Sequence, residues 1–169
     1  MTVNGSPEGP PTKAGTFLAD DLGGLHGAIG AMAALRHRDQ TGEGQHVDIA
    51  LQDAMLFQSD GLPTLGALGI EPSRMGNEFG FAAPANVYDC KDGAVYLGVL
   101  LDAHWKTLAP IIGEPDLAEH PTFALRDERA ANRDICNAMV SEWAKERPRE
   151  EVLTILREAG LPAAPVNTY

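Results

Sequence analysis

The spacing of apolar residues changes along the chain, and each change marks an element. Leu18, Leu22, Leu25, Ile29 and Met32 recur at helical spacing and predict a helix that starts near Asp20. Beside that stripe runs a face of small residues, Gly23, Gly27, Gly30, Ala31 and Ala34. Glycine inside a helix costs roughly 1 kcal/mol relative to alanine, so this face predicts that another backbone packs very close. Arg36-His37-Arg38 suits the negative end of the helix, and Thr41-Gly42-Glu43-Gly44 reads as a turn. Val47, Ile49 and Leu51 then alternate with His46, Asp48 and Ala50, the pattern of a short strand. A further helix is expected from near Asp53, losing definition at Gly61-Leu62-Pro63.

The second half has a different texture. Residues 71–85 are rich in Gly, Pro and Asn and read as a loop. Asn86–Cys90 and Ala94–Val99 flank Lys91-Asp92-Gly93, and an Asp-Gly turn between two such runs predicts a hairpin. Asp102 can cap a helix that Gly113 ends, Ile135, Met139 and Trp143 line a second, and Pro148 opens a third that Gly160 stops. Residues 1–15 read as an irregular lead-in and 161–169 as extended chain. The fold class is α+β, divided into residues 1–51, a helical linker over 52–70 and a small α+β domain over 71–169. A single alternating strand at the front has no sheet to join, so the chain reads as a fragment.

Composition narrows the partners. The chain has 169 residues, 44% of them hydrophobic and 22% charged, which suits a packed globule rather than disorder. No apolar run approaches the ~18–20 residues of a membrane helix, and the N-terminus lacks the basic-then-apolar order of a signal peptide. Cys90 and Cys136 are widely separated, outside any CxxC pattern, and read as buried thiols of a cytoplasmic protein. A formal net charge of −11 argues against a nucleic-acid partner.

Candidate chemistry centres on Asp20 and Asp21, which open the first helix. Acidic residues cap helices routinely. A carboxylate there is also favoured in its ionised form and can attack an activated carbonyl, and Gly23 and Gly24 would let a bulky ligand approach. Sequence physics leaves both readings open. The five histidines form no metal pattern: His26 and His37 are too far apart for a zinc helix, and His46, His104 and His120 are isolated. The chain has no GxSxG elbow, P-loop or GxGxxG, and Thr41–Gln45 lacks the lysine of a phosphate loop.

Four segments in order carry a family resemblance. Leu18-Ala19-Asp20, Ile29-Gly30 and Ala33-Ala34-Leu35 resemble the nucleophile helix of class III (CaiB/BaiF, formyl-CoA transferase-like) coenzyme A transferases. Arg38 and Thr41-Gly42, Gly44-Gln45, Val47-Asp48 and Leu51 resemble the segment that follows it. Arg74, Gly76-Asn77, Pro84, Tyr88 and Asp92-Gly93 match a third stretch, and Gly160, Pro162 and Ala164-Pro165-Val166-Asn167 a fourth.

The resemblance implies transfer of coenzyme A between an acyl-CoA donor and a small carboxylic acid, through an aspartyl-CoA thioester on Asp20. Coenzyme A is then substrate, with no metal or covalent cofactor. It also implies a mobile loop over the reacting carboxylate, mapping to Gly76–Pro84, with Gly76, Asn77 and Gly80 as its candidate residues. Here Glu78, Phe79 and Phe81 surround a single Gly80, a departure from the glycine-rich form. The parent fold implied is a Rossmann-like α/β large domain, to which residues 1–51 contribute, in an interlocked homodimer.

Family members run to about twice this length, so the expectation is an internal piece, inactive alone. The acidic balance agrees, because coenzyme A phosphates need cations from elsewhere. Two alternatives remain: an α-methylacyl-CoA racemase, which shares the fold but abstracts a proton, and a non-catalytic subunit or fragment. Ala19-Asp20-Asp21-Leu22-Gly23-Gly24 fits the transferases better.

Overall fold

A computed structural model of the chain describes residues 3–59 and 61–168; Met1, Thr2 and Tyr169, at the ends of the expected lead-in and tail, and Asp60, within the expected linker helix, lie outside them. The chain forms two compact units, residues 1–76 and 77–169.

In the first unit, α1 spans Leu18–Thr41, starting two residues before Asp20 and running past the basic trio to Gly42. Gly42 ends it in the left-handed conformation (φ 78°), its N–H donating to the Arg38 carbonyl. The expected strand at 47–51 does not form: residues 43–50 are non-helical and unpaired, and Leu51 opens α2 (Leu51–Phe57) with Ala50 as its N-cap. Alternation alone gives an extended segment, and a strand also needs a neighbour to bond. What the segment does instead is fill two notches of the expected small-residue face, at Gly23 and Gly30, while Gly27 stays open. A Cβ added at Gly23 would lie 2.2 Å from a Leu51 methyl carbon, and one at Gly30 would lie 2.7 Å from Val47 Cγ1. Side chains, rather than the expected backbone, occupy those notches.

The loss of helix at Gly61 is a break, because α3 restarts over Leu62–Ala67 with Pro63 in its first turn, where a missing N–H costs nothing. The lead-in is held by Arg74, whose guanidinium donates to the carbonyls of Ser6 (3.2 Å) and Gly9 (2.6 Å).

The second unit is built on the expected hairpin. β1 (Ala85–Cys90) and β2 (Gly93–Gly98) pair antiparallel from Ala85↔Gly98 to Cys90↔Gly93. β3 (Ala163–Pro165), expected only as extended chain, adds to β2 with Leu97 opposite Ala163. The sheet order is β1-β2-β3.

Helices α4 (Asp102–Ile111), α5 (Arg126–Ala131), α6 (Arg133–Lys145) and α7 (Arg149–Glu158) cover it, with a 3-10 turn over Pro115–Ala118. Two expected caps fall one residue off. Leu101, not Asp102, caps α4, and Pro148 caps α7 rather than opening it. The core is apolar and closed: Val95, Leu97, Trp105, Leu108, Cys136, Val140, Leu153 and Leu156 are all essentially inaccessible.

One cation sits in that core. Arg129 is fully buried and donates to the carbonyls of Ala83, Phe123 and Ala124 at 2.9 Å each, and to Asp102 Oδ1 at 3.1 Å. Its guanidinium also lies over the Trp105 ring, 5.7 Å from the centroid. Burial pulls its pKa down, while the Asp102 hydrogen bond and charge oppose that and hold the proton.

Candidate active site

Asp20 lies in the first turn of α1, where backbone N–H groups point without partners along the helix axis. Phe17 caps the helix and offers no side-chain hydrogen bond to those groups. Asp20 is exposed, and among the described residues its carboxylate takes part in no hydrogen bond or ion pair. It is therefore not spent on the cap reading, in which its oxygen would bond a backbone N–H.

Helical geometry sets three faces on α1. Asp20, Gly24, Gly27 and Ala31, spaced by three or four residues, share one line. A Cβ at Gly24 or Gly27 would meet nothing within 4 Å, so the helix surface in line with Asp20 is open. Gly23, His26 and Gly30 form the packed face. His26 Nδ1 lies 2.8 Å from the Leu22 carbonyl and carries the proton donated there, and its ring meets Phe57 edge-on at 5.6 Å. The third face is the expected apolar stripe, and it stays uncovered: Leu25, Ile29 and Met32 are 60%, 60% and 62% exposed.

The loop candidates divide between the two units. Gly76 closes the first, in a left-handed conformation (φ 61°) with its N–H donating to the Gly5 carbonyl at 3.0 Å. Asn77 and Gly80 belong to the second unit. There Phe79 and Ala82 form a small bridge around Gly80 and Phe81, and the two phenyl rings stand 5.5 Å apart.

Sequence reasoning missed a polar chain that begins in this loop. Glu78 Oε1 accepts from Asn137 Nδ2 at 2.8 Å, and Asn137 Oδ1 accepts from the Tyr88 hydroxyl at 2.7 Å. Burial first, then the nearby Cys136 and Glu78, push the Tyr88 phenol far above its usual range, so it donates at any physiological pH. No spacing rule links residues 78, 88 and 137, so the sequence carried no signal for it.

Other chemistry is quiet. Burial pushes the Cys136 thiol up to about 11 and raises Cys90 as well, which disfavours the nucleophilic thiolate in both. Among the described residues no three His, Cys, Asp or Glu side chains converge as a metal site would need. Among the described residues no helix is long and apolar enough to cross a membrane. Among the described residues at least seven Lys and Arg are in ion pairs, Arg38–Asp39, Lys106–Glu119 and Arg147–Glu151 among them.

Comparison with known proteins accounts for the whole chain. Residues 1–169 match the model of CoA-transferase family III. The chain is 36% identical to a succinyl-CoA:mesaconate CoA-transferase of Haloarcula marismortui, over 99% of this chain and 42% of that protein. It is 34% identical to an acetyl-CoA:oxalate CoA-transferase of Acetobacter aceti, over 98% of this chain and 43% of that one. With the beta subunit of a succinyl-CoA–L-malate CoA-transferase of Chloroflexus aurantiacus the identity is 37%, over 96% and 41%. The chain thus spans about two fifths of the length of the curated relatives it matches. Among solved structures, a CaiB/BaiF family protein from Brucella suis superposes with a TM-score of 0.76 at 34% identity, over 99% of this chain and 45% of that one. A Mycobacterium tuberculosis protein reaches a TM-score of 0.82 at 24% identity, over 98% and 42%, which speaks for the fold alone.

Proposed function

Since the chain belongs to CoA-transferase family III, we propose that its parent protein moves coenzyme A from an acyl-CoA donor to a carboxylic acid, with Asp20 as nucleophile. The observation that carries this reading is the state of Asp20: exposed, unpaired, in the first turn of α1, and in line with an open glycine surface. A carboxylate so placed can reach a thioester carbonyl without first breaking a bond to its own fold.

The chemistry proceeds in four attacks. The Asp20 carboxylate adds to the donor thioester carbonyl, and the coenzyme A thiolate leaves, giving an aspartyl–acyl anhydride. The thiolate then attacks the aspartyl carbonyl, forming the aspartyl-CoA thioester and releasing the donor acid as its carboxylate. The acceptor carboxylate attacks that thioester to give a second anhydride and free thiolate. Finally the thiolate attacks the acceptor's acyl carbonyl, and Asp20 leaves as the original carboxylate. A thioester is exchanged for a thioester, so the balance needs no outside energy source. The positive end of α1 stabilises negative charge at Asp20 before and after each cycle. The loop around Gly76, Asn77 and Gly80 acts as a cover that keeps water from the anhydride and thioester.

The exposed apolar face of α1 and the paired state of most cations fit a catalytic assembly completed by further protein. The reading therefore includes a Rossmann-like parent domain, a dimer, and no turnover by these 169 residues alone. The test is kinetic. In the complete parent, Asp20→Asn should lower transfer by at least about a thousandfold, because an amide forms neither anhydride nor thioester. Asp21→Asn should retain most activity. Equal losses at both positions would replace the nucleophile reading with one of helix capping.

A further inference from the structure

The apolar line Ile135, Met139 and Trp143 is not the core line of α6. Cys136, Val140 and Ala144, one position later, are the inaccessible residues. Ile135 is 51% exposed, Met139 packs at the edge of the core, and Trp143 is 7% exposed. With Ile112, just after α4, they floor a groove of about 750 Å³ that lies wholly within the second unit. From Ile135 to Trp143 the floor runs about 12 Å along α6, at 1.5 Å per residue. The exposed Glu114, Asp134 and Glu142 also line the groove. Glu142 holds Lys145, whereas the carboxylates of Glu114 and Asp134 have no hydrogen bond or ion pair among the described residues. The cation lining the groove, Arg147, is already met. It lies over the Trp143 ring, 5.0 Å from the centroid, donates to the Trp143 carbonyl at 2.6 Å and faces Glu151 at 3.7 Å. Trp143 also keeps an unused donor. The Trp105 indole N–H donates to the Leu117 carbonyl at 2.9 Å, but that of Trp143 has no acceptor among the described residues. Among those residues His104 Nδ1 is the sealed side-chain polar atom without a partner, so the Trp143 N–H is reachable from outside.

We propose that this groove is a docking site for a basic amphipathic helix of another protein. Apolar side chains of that helix, one turn apart, sit on Ile112, Ile135, Met139 and Trp143, and its Lys or Arg meets Glu114 and Asp134. A half-exposed apolar floor about two turns long suits a helix laid along it. The sign of the occupant follows from the unmatched charge. A neutral or acidic segment would desolvate those two carboxylates with nothing to offset the cost, and a cation pairs with them. The net charge of −11 on the chain attracts the same class of partner from a distance. The surface is independent of Asp20 and of the transferase reading.

The probe is a fluorescently labelled helical peptide with Leu at i, i+4 and i+7 and Lys on its flanks. It is titrated into the complete parent protein and followed by anisotropy. Binding should saturate at one peptide per chain and weaken about fivefold or more from low to physiological salt. Ile135→Ser/Met139→Ser should weaken it about tenfold or more, through lost apolar contact. Glu114→Gln/Asp134→Asn changes two exposed residues, leaves the core untouched, and should weaken binding about fivefold while flattening the salt dependence. No saturable binding, or equal binding by the wild type and either double variant, overturns the proposal. Binding by the 169-residue chain but not by the parent also overturns it, since the parent's own chain then covers the groove. A parent oligomer that sediments as monomer in Ile135→Ser/Met139→Ser overturns it too, by giving the groove to a second copy.

Discussion

The glycines of α1 differ sharply from one another, although all look alike as letters. Gly27 projects into open space, so Gly27→Ala should stabilise the helix by roughly 0.5–1 kcal/mol. At Gly30 the same change puts a carbon 2.7 Å from Val47 Cγ1, and a β-branched side chain has few rotamers into which to retreat. Gly30→Ala should therefore lose more than the propensity gain, and Gly30→Ala/Val47→Ala should recover part of it. Urea midpoints of the four chains check this. If Gly27→Ala and Gly30→Ala shift the midpoint alike, the notch is not a packing constraint. The same distinction bears on Asp20. The sequence places two acidic residues at a helix start, and the structure adds that among the described residues the Asp20 carboxylate has no hydrogen bond or ion pair.

Elements with local causes were legible in the sequence, and elements with distant causes were not. The hairpin at 85–98 follows from its own Asp-Gly turn, and α7 from the Pro148 and Gly160 that flank it. The strand expected at 47–51 failed because pairing is a property of two segments, and β3 was missed because three residues gain strand character only from their neighbour β2. The site was legible as one carboxylate and a loop position. The Glu78–Asn137–Tyr88 chain was not, since it joins residues 59 and 49 positions apart.

Arg129 belongs to this scale as well, because it ties the segment before β1, the start of α4 and the turn at 123–124 through four hydrogen bonds. Arg129→Met leaves three carbonyls without their donor and should cost on the order of 3–5 kcal/mol. Asp102 is 42% exposed at its side chain, so Asp102→Asn should cost only about 1 kcal/mol. Thermal unfolding followed by tryptophan fluorescence separates the two, and comparable losses would show that the ion pair, rather than the carbonyl set, holds the domain.

Taken whole, the molecule is an acidic chain with two compact units, an uncovered apolar helix face and most of its cations in ion pairs. Coenzyme A is polyanionic, so the purified 169-residue chain should show neither transfer nor saturable coenzyme A binding at physiological salt. Turnover by this chain alone would contradict the proposed division of labour. The central claim, that Asp20 becomes an acyl donor during the cycle, is tested most directly by trapping. The complete parent protein is incubated with its acyl-CoA donor, quenched with hydroxylamine, digested and sequenced by mass spectrometry. The expected result is a hydroxamate on Asp20, absent from the Asp20→Asn variant and from enzyme without donor. A hydroxamate on Asp21 or Glu43, or none on any residue while coenzyme A transfer proceeds, would contradict it.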